Sequence, residues 1–265
     1  MKKGFIFDLD GTVYRSDELM PGARSVITKL DVQGFGIVFL SNKPLHSRQY
    51  YADNLDQLGI PVDVNQIVTS SYVMGYHLSE TDKGATVYPV GEEPLVRELK
   101  GSGMVISEDP EEIDYVVASF DRNFHYDKLN IAFQAIMNGA RFIATNPDRT
   151  CPVKNGEVPD AAGMIGAIEG VTGKKVELVA GKPSKLMVKA AIDRLDVEPE
   201  DCLLVGDRLE TDIKMGNDHG ITTALVLTGV TSREDLAGSS IKPTYVLENL
   251  YQLPEKLDLG LETGS

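Results

Sequence analysis

Short apolar runs alternate with amphipathic stretches along most of the chain. Phe5-Ile6-Phe7 is such a run, and it ends on Asp8-Leu9-Asp10-Gly11-Thr12. After Met20-Pro21-Gly22, apolar residues fall at Ala23, Val26, Ile27 and Leu30, the i, i+3, i+4, i+7 spacing of one helix face. Gly34 predicts the end of that helix. Gly36-Ile37-Val38-Phe39-Leu40 is continuously apolar, as a strand covered on both faces must be, and it runs into Ser41-Asn42-Lys43-Pro44. The pattern then predicts a helix over 47–58 stopped by Gly59, a weaker strand at Val68-Thr69-Ser70 and a helix over 71–79. This βαβαβα order predicts a parallel sheet with helices on both faces.

Asp82-Lys83-Gly84 reads as a linker, after which a second alternation begins. It predicts a strand over 85–90, a helix near 94–101, a strand over 115–119 and a helix over 126–138 with Leu129, Ala132, Phe133 and Ile136 on one face. Gly139 is its expected C-cap. A strand over 141–145, a polar loop over 146–159 and a helix near 161–170 follow. We read residues 83–178 as an inserted α/β unit with its own core. Residues 1–82 and 179–265 then form one discontinuous α/β domain. In its second half we expect a strand at Val176–Ala180 ending in Gly181-Lys182-Pro183-Ser184, a helix over 185–195 and a strand at Cys202–Val205 ending in Gly206-Asp207-Arg208. A helix over 211–219, a strand over 223–227, Tyr245–Leu247 and an amphipathic segment over 250–257 complete it. The polar tail Gly260–Ser265 is expected to be disordered.

Charge narrows the function classes. A formal charge of −14 and a pI near 4.7 argue against a general binder of nucleic acid or of an anionic membrane. A locally positive or metal-holding site can still take an anionic substrate. Cys151 and Cys202 make no disulfide framework and no CxxC pair. The run after Lys2-Lys3 meets Asp8 too soon for a signal peptide, and no apolar run approaches the roughly 18 residues of a membrane span. We read a reducing cytoplasm.

The chemistry gathers at strand ends, which is where open parallel sheets bind ligands. Four strand-like runs end in Asp8/Asp10, in Ser41/Asn42, in Lys182 and in Asp207. Singly these are commonplace: an Asp after a strand is often a helix cap, Ser-Asn a turn, Gly-Lys-Pro a loop. Together they supply three acids for a hard divalent cation, a hydroxyl and an amide for phosphate oxygens, and an ammonium to offset negative charge. Few carboxylates, waters and a substrate phosphate suit Mg²⁺. Asp8 and Asp10 would share one side of a straight strand; Gly11 predicts a turn there. Residues 42–181 separate Ser41 from Lys182, far more than a βαβ crossover needs, and an inserted lid fits that gap.

Asp8-Leu9-Asp10-Gly11-Thr12, Ser41-Asn42, Gly181-Lys182-Pro183 and Gly206-Asp207-Arg208-Leu209-Glu210-Thr211-Asp212-Ile213 resemble, in type and order, the four motifs of the haloacid dehalogenase superfamily. The insert, with Asn138–Asp148, resembles the large α/β cap of its NagD-like subfamily. The overall pattern, Ala162–Glu169 included, looks like that of AraL-type sugar phosphatases. The resemblance implies a Rossmann-like core with an inserted cap, and a phosphatase acting on a small phosphorylated metabolite. In that role Asp8 attacks phosphorus and forms an aspartyl-phosphate, and Asp10 protonates the leaving oxygen and then activates water. Mg²⁺ is held by Asp8, by the Asp10 carbonyl and by Asp207. Ser41, Asn42, Lys182 and the backbone N–H at Leu9 hold phosphoryl oxygens, and Asp212 orients metal waters or Lys182. Asn146, Asp148 and Arg149, in the expected polar loop, are candidates for substrate selection. Sugar phosphates, nucleotides, pyridoxal phosphate and phosphoglycolate all stay open as substrates, as does a homodimer through the cap.

Three rivals have distinguishing features. A dehalogenase would carry a non-acid where Asp10 stands. A phospho-receiver signalling domain shares the Asp, acids, Ser/Thr and Lys, but would be about half this length and lack the insert. A phosphomutase usually has a small helical cap after the first motif, where only Val13–Met20 is available.

Overall fold

Phe5 and Phe7 are fully buried and Ile6 nearly so, because the strand they form, Gly4–Asp8, is covered on both faces. The structure, a computed structural model, describes residues 3–16, 18–153 and 156–257. The expected tail Gly260–Ser265 lies outside them. Gly4–Asp8 is an inner strand of a six-stranded sheet whose order is Tyr245–Leu247, Thr222–Val226, Cys202–Gly206, Gly4–Asp8, Gly36–Ser41, Ile67–Thr69. Its pairings with Cys202–Gly206 and Gly36–Ser41 are parallel, as are those onward to Tyr245–Leu247. Parallel register sets the strands' carboxyl ends side by side: Phe7 lies opposite Val205 and Phe39, and Asp8 opposite Leu40.

The chain divides into two compact units: residues 1–41, 48–68 and 188–265, and residues 42–47 and 69–187. The first has its core around Phe5, Phe7, Phe39, Leu30, Tyr51, Leu55 and Leu203, with Phe7 stacked on Phe5 and on Phe39. Burying each such Leu or Phe contributes about 1.5–3 kcal/mol, which gives this sheet its rigidity. The helix Ala23–Val32 buries Ala23, Val26, Ile27 and Leu30, the face its spacing predicts. Val13–Met20, read only as a spacer, instead holds a small antiparallel ribbon, Tyr14–Arg15 against Glu18–Leu19.

The second unit is built on a five-stranded, all-parallel sheet in the order Leu178–Val179, Arg141–Ala144, Tyr115–Ala118, Thr86–Val90, Val105–Ile106. Its core contains Val90, Val116, Ala132, Phe142, Ala161 and Ile168. Three features differ from the sequence-based expectation. The division between units falls before Ser70–Thr81 rather than after it, since that helix packs on Glu93–Gly101 of the second unit. The stretch 146–159 is no plain loop, because Thr150–Val153 and Gly156–Pro159 pair as a hairpin. The expected strand Val176–Ala180 does not rejoin the first sheet. Only Leu178–Val179 is extended, and it pairs with Ile143 and Ala144 at the edge of the second sheet. Gly173, in the left-handed conformation, ends the preceding helix, and Arg141 pairs with Glu177 at 2.8 Å to hold the returning chain beside that edge. Among the described residues no helix is long and apolar enough to cross a membrane.

One ion pair of the second unit carries a pH signature. Arg122 grips Glu92 with both arms of its guanidinium, 2.7 Å to each carboxylate oxygen, and its backbone N–H adds a bond at 3.0 Å. The Arg122 hydrogen bonds hold the Glu92 carboxyl below its ordinary value. A carboxyl with a lowered folded-state pKa stabilises above its unfolded pKa, and that stability is lost as pH falls through the folded value. Glu92→Gln should therefore cost up to about 1 kcal/mol in urea unfolding at pH 7, since the arginine side is exposed, and progressively less as pH falls through the lowered Glu92 value.

Candidate active site

The first unit brings three acids together. Asp8 is the last residue of its strand, Asp207 follows Cys202–Gly206 directly, and Asp212 sits one turn later. All three are buried, and each offers a carboxylate oxygen within 4.8 Å of the others'. Asp212 comes into the cluster because residues 209–213 form a π-helical turn instead of the regular helix expected over 211–219. Its carboxylate accepts the Arg208 N–H at 3.1 Å. Such turns are common at functional sites because the extra residue per turn re-aims side chains. Asp212 thus stands among the carboxylates themselves.

Asp10 is not part of that carboxylate cluster. The strand stops at Asp8, and Gly11 takes a φ of +92°, so the chain turns where Gly11 predicts. Asp10 bridges to Tyr14, and the Gly11 N–H bonds to the Tyr14 carbonyl at 2.7 Å. Burial first, then the charge of Asp10, pushes the Tyr14 hydroxyl above the usual phenol range, so it stays protonated. Leu9 is fully buried, and its carbonyl accepts the N–H groups of Thr12, Val13 and Tyr14. Ser41 is buried at the end of its strand.

A segment the sequence reading passed over organises Asp207. In the loop after Thr222–Val226, the Val230 N–H donates to Asp207 Oδ2 at 2.6 Å, and the Thr231 N–H to the Asp207 carbonyl at 3.2 Å. Thr228 donates its hydroxyl to the Gly11 carbonyl at 2.7 Å and accepts Arg15 at its own carbonyl at 3.0 Å. A Cβ on Gly229 would lie 1.8 Å from Asp207 Oδ2, and one on Gly11 2.6 Å from the same atom. Two glycines therefore flank this carboxylate because nothing larger fits. The available signal was Leu227-Thr228-Gly229, a fifth strand end running into a glycine.

The remaining candidates lie in the second unit. Lys182 is buried at 4% exposure. Asn42 donates from its side-chain amide to Asp148 at 2.9 Å and to the Lys182 carbonyl at 3.1 Å, and accepts the Lys182 N–H at 2.7 Å. Both amide hydrogens are thus engaged within the second unit. Asn146 is fully buried and bonds Asp148, Asp160 and Thr145. With Asp148 it forms an internal brace. Arg149 is exposed.

The donor set suits a hard cation. At 4.8 Å and an effective dielectric near 20, two carboxylates repel by about 3.5 kcal/mol, so three together call for a compensating charge. Oxygen-only donors beside backbone N–H groups fit Mg²⁺ better than a softer metal. Gly229→Ala should drive Asp207 out of place and lower activity by about 10–100-fold or more while circular dichroism stays unchanged. Gly170→Ala, on an exposed helix position with open space around it, should leave activity intact and stabilise by up to about 1 kcal/mol.

Comparison with known proteins follows the same lines. A family profile described as haloacid dehalogenase-like hydrolase matches residues 5–105, and one described as HAD-hydrolase-like matches residues 179–253. Sugar-phosphatase AraL of Bacillus subtilis (strain 168) is 42% identical over 258 residues, covering 97% of this chain and 94% of that protein. The structure of NagD from E. coli K-12 superposes with a TM-score of 0.87 at 31% identity, covering 94% of this chain and 97% of NagD. A glycerol phosphate phosphatase from Mycobacterium tuberculosis, solved in complex with magnesium, superposes with a TM-score of 0.88 at 31% identity, over 95% of this chain and 76% of its own.

Proposed function

The chain belongs to the haloacid dehalogenase-like hydrolases, in their NagD-like branch of phosphatases, and on that premise we propose a Mg²⁺-dependent hydrolysis of small phosphate monoesters through a phosphoryl group carried on Asp8. The observation that carries it is the buried cluster of Asp8, Asp207 and Asp212 at strand ends of a parallel sheet. Sugar phosphates are the first substrates to test, because the AraL relative is named for them.

The residues divide the work by their positions. Asp8, Asp207 and Asp212 would hold the cation, together with the Asp10 carbonyl that the family resemblance implies. When bound, Mg²⁺ supplies the positive charge that lets carboxylates and a phosphate dianion share one site. An Asp8 carboxylate oxygen attacks phosphorus as the bond to the leaving oxygen breaks. Asp10, outside the carboxylate cluster, gives its proton to that oxygen. The resulting Asp10 carboxylate takes a proton from water, whose oxygen attacks the phosphoryl group and breaks its bond to Asp8. Inorganic phosphate leaves and both side chains return to their starting states. In this reading Ser41 and Lys182 bind phosphoryl oxygens, with the ammonium offsetting their charge. The carboxylic acid at Asp10 disfavours a dehalogenase, and the second α/β unit disfavours a receiver domain.

Steady-state assays with p-nitrophenyl phosphate and a panel of sugar phosphates, ranked by kcat/KM, test the reading. Asp8→Asn should lower kcat by on the order of 10⁴-fold or more, and Asp10→Asn by about 10²–10⁴-fold. Acid-quenched wild-type protein should carry a hydroxylamine-labile phosphoryl group that Asp8→Asn lacks. Undiminished turnover in excess chelator would sink the metal-dependent mechanism.

A further inference from the structure

The side chain of Asn42 makes an unusual pairing. Its Oδ1 accepts the Lys182 N–H at 2.7 Å, and its Nδ2 donates to the Lys182 carbonyl at 3.1 Å. An amide side chain thus engages both polar backbone groups of one residue, as an adjoining strand residue does in a ladder. The second Nδ2 hydrogen goes to Asp148 Oδ2 at 2.9 Å. The neighbours dictate the amide's orientation, since a backbone N–H needs an acceptor and a carboxylate needs a donor. Asp148 is itself held: the same Oδ2 accepts from Asn146 Nδ2 at 2.9 Å, and that amide also reaches Asp160 at 3.1 Å, the N-cap of helix Ala161–Thr172. The backbone of Asn42 is tied by Ser70, whose hydroxyl donates to its carbonyl at 2.8 Å.

Gly181 completes the arrangement. Its N–H bonds to the Thr145 carbonyl at 2.6 Å, and a Cβ there would lie 2.5 Å from Asn42 Oδ1 and 2.7 Å from the Thr145 carbonyl. The residue before Lys182 must be glycine for the amide to approach. The result is a line of directional bonds from the helix cap through Asp148 and Asn42 to the backbone of a buried lysine.

We propose that Asn42, braced by Asp148, is a positioning residue for Lys182. It fixes the backbone from which the ammonium is presented, and its own side chain does not contact the phosphoryl group. This rests on the reading of Lys182 as a phosphoryl ligand. A lysine is a flexible cation whose aim is set by where its backbone is held, so loosening the clamp weakens charge stabilisation without removing the charge.

A double-mutant cycle on kcat/KM separates the two roles. Asn42→Ala and Asp148→Ala should each lower kcat/KM by about 10–100-fold, the range for partners that orient a site group. Asp148→Asn, which keeps an acceptor oxygen for Asn42, should recover most of that loss. In a Lys182→Ala background, Asn42→Ala should change kcat/KM by no more than about twofold, because the residue it serves is gone. Losses that multiply in the double variant would show Asn42 acting on the phosphoryl group directly and would overturn the proposal. Amide hydrogen exchange reads the clamp without turnover. Exchange at the Lys182 N–H should accelerate in Asn42→Ala and Asp148→Ala and stay as in the wild type in Asp148→Asn; unchanged exchange in the alanine variants overturns the proposal too. A wild-type protein that exchanges as expected but hydrolyses no phosphate monoester would instead remove the functional reading.

Discussion

Three buried carboxylates within 4.8 Å of one another are the constraint on which this structure turns. Left uncompensated, their repulsion would oppose the packing of the strand ends that bring them together, at several kcal/mol for the group. The surrounding structure holds them in place. Asp8 is anchored by a strand whose Phe5 and Phe7 are fully buried. Asp207 is clamped by the Val230 and Thr231 N–H groups and walled in by Gly11 and Gly229. Asp212 is aimed by a π-helical turn and bonded to the Arg208 N–H. A site assembled against its own electrostatics favours a divalent cation, and with it an anionic substrate, even in a chain of net charge −14.

The same logic separates Asp10 from Asp8. Two acids one residue apart would both face the cluster if the strand continued, but the strand ends at Asp8 and the chain turns at Gly11. In the proposed mechanism this leaves one carboxylate to attack phosphorus and the other for proton transfer. The second unit solves a different problem. It buries several polar groups, and it bonds them through linked contacts among Ser119, Thr145, Asn146, Asp148, Asp160 and Asn42. Such networks are rigid when every member is bonded, and this one ends at the backbone of Lys182.

Where the sequence was legible, one local rule governed the outcome. The helix Ala23–Val32 buries the face its spacing marks, and the apolar runs at Phe5–Phe7, Ile37–Leu40 and Cys202–Val205 are inner strands because only such strands are apolar on both sides. Where it failed, partners distant in the chain decided. Val176–Ala180 reads as a strand of the first unit, yet pairing with Arg141–Ala144 makes two of its residues the edge of the other sheet. Asn42, Asn146 and Asp148 carry ordinary turn chemistry, and only their mutual bonds show that they brace one another.

By itself, then, the sequence determined the alternating α/β architecture, the insertion of a second α/β unit, and the strand ends bearing Asp8, Asp10 and Asp207. Those follow from periodicity, backbone preference at glycine and residue type, all local properties. The tertiary structure alone decided that Asp212 joins Asp8 and Asp207, that the loop at Thr228–Thr231 grips Asp207, and that Asn42 is committed to Lys182. A carboxylate cluster or an amide clamp is a relation between residues far apart in the chain, and its geometry exists only once the sheets have set them side by side.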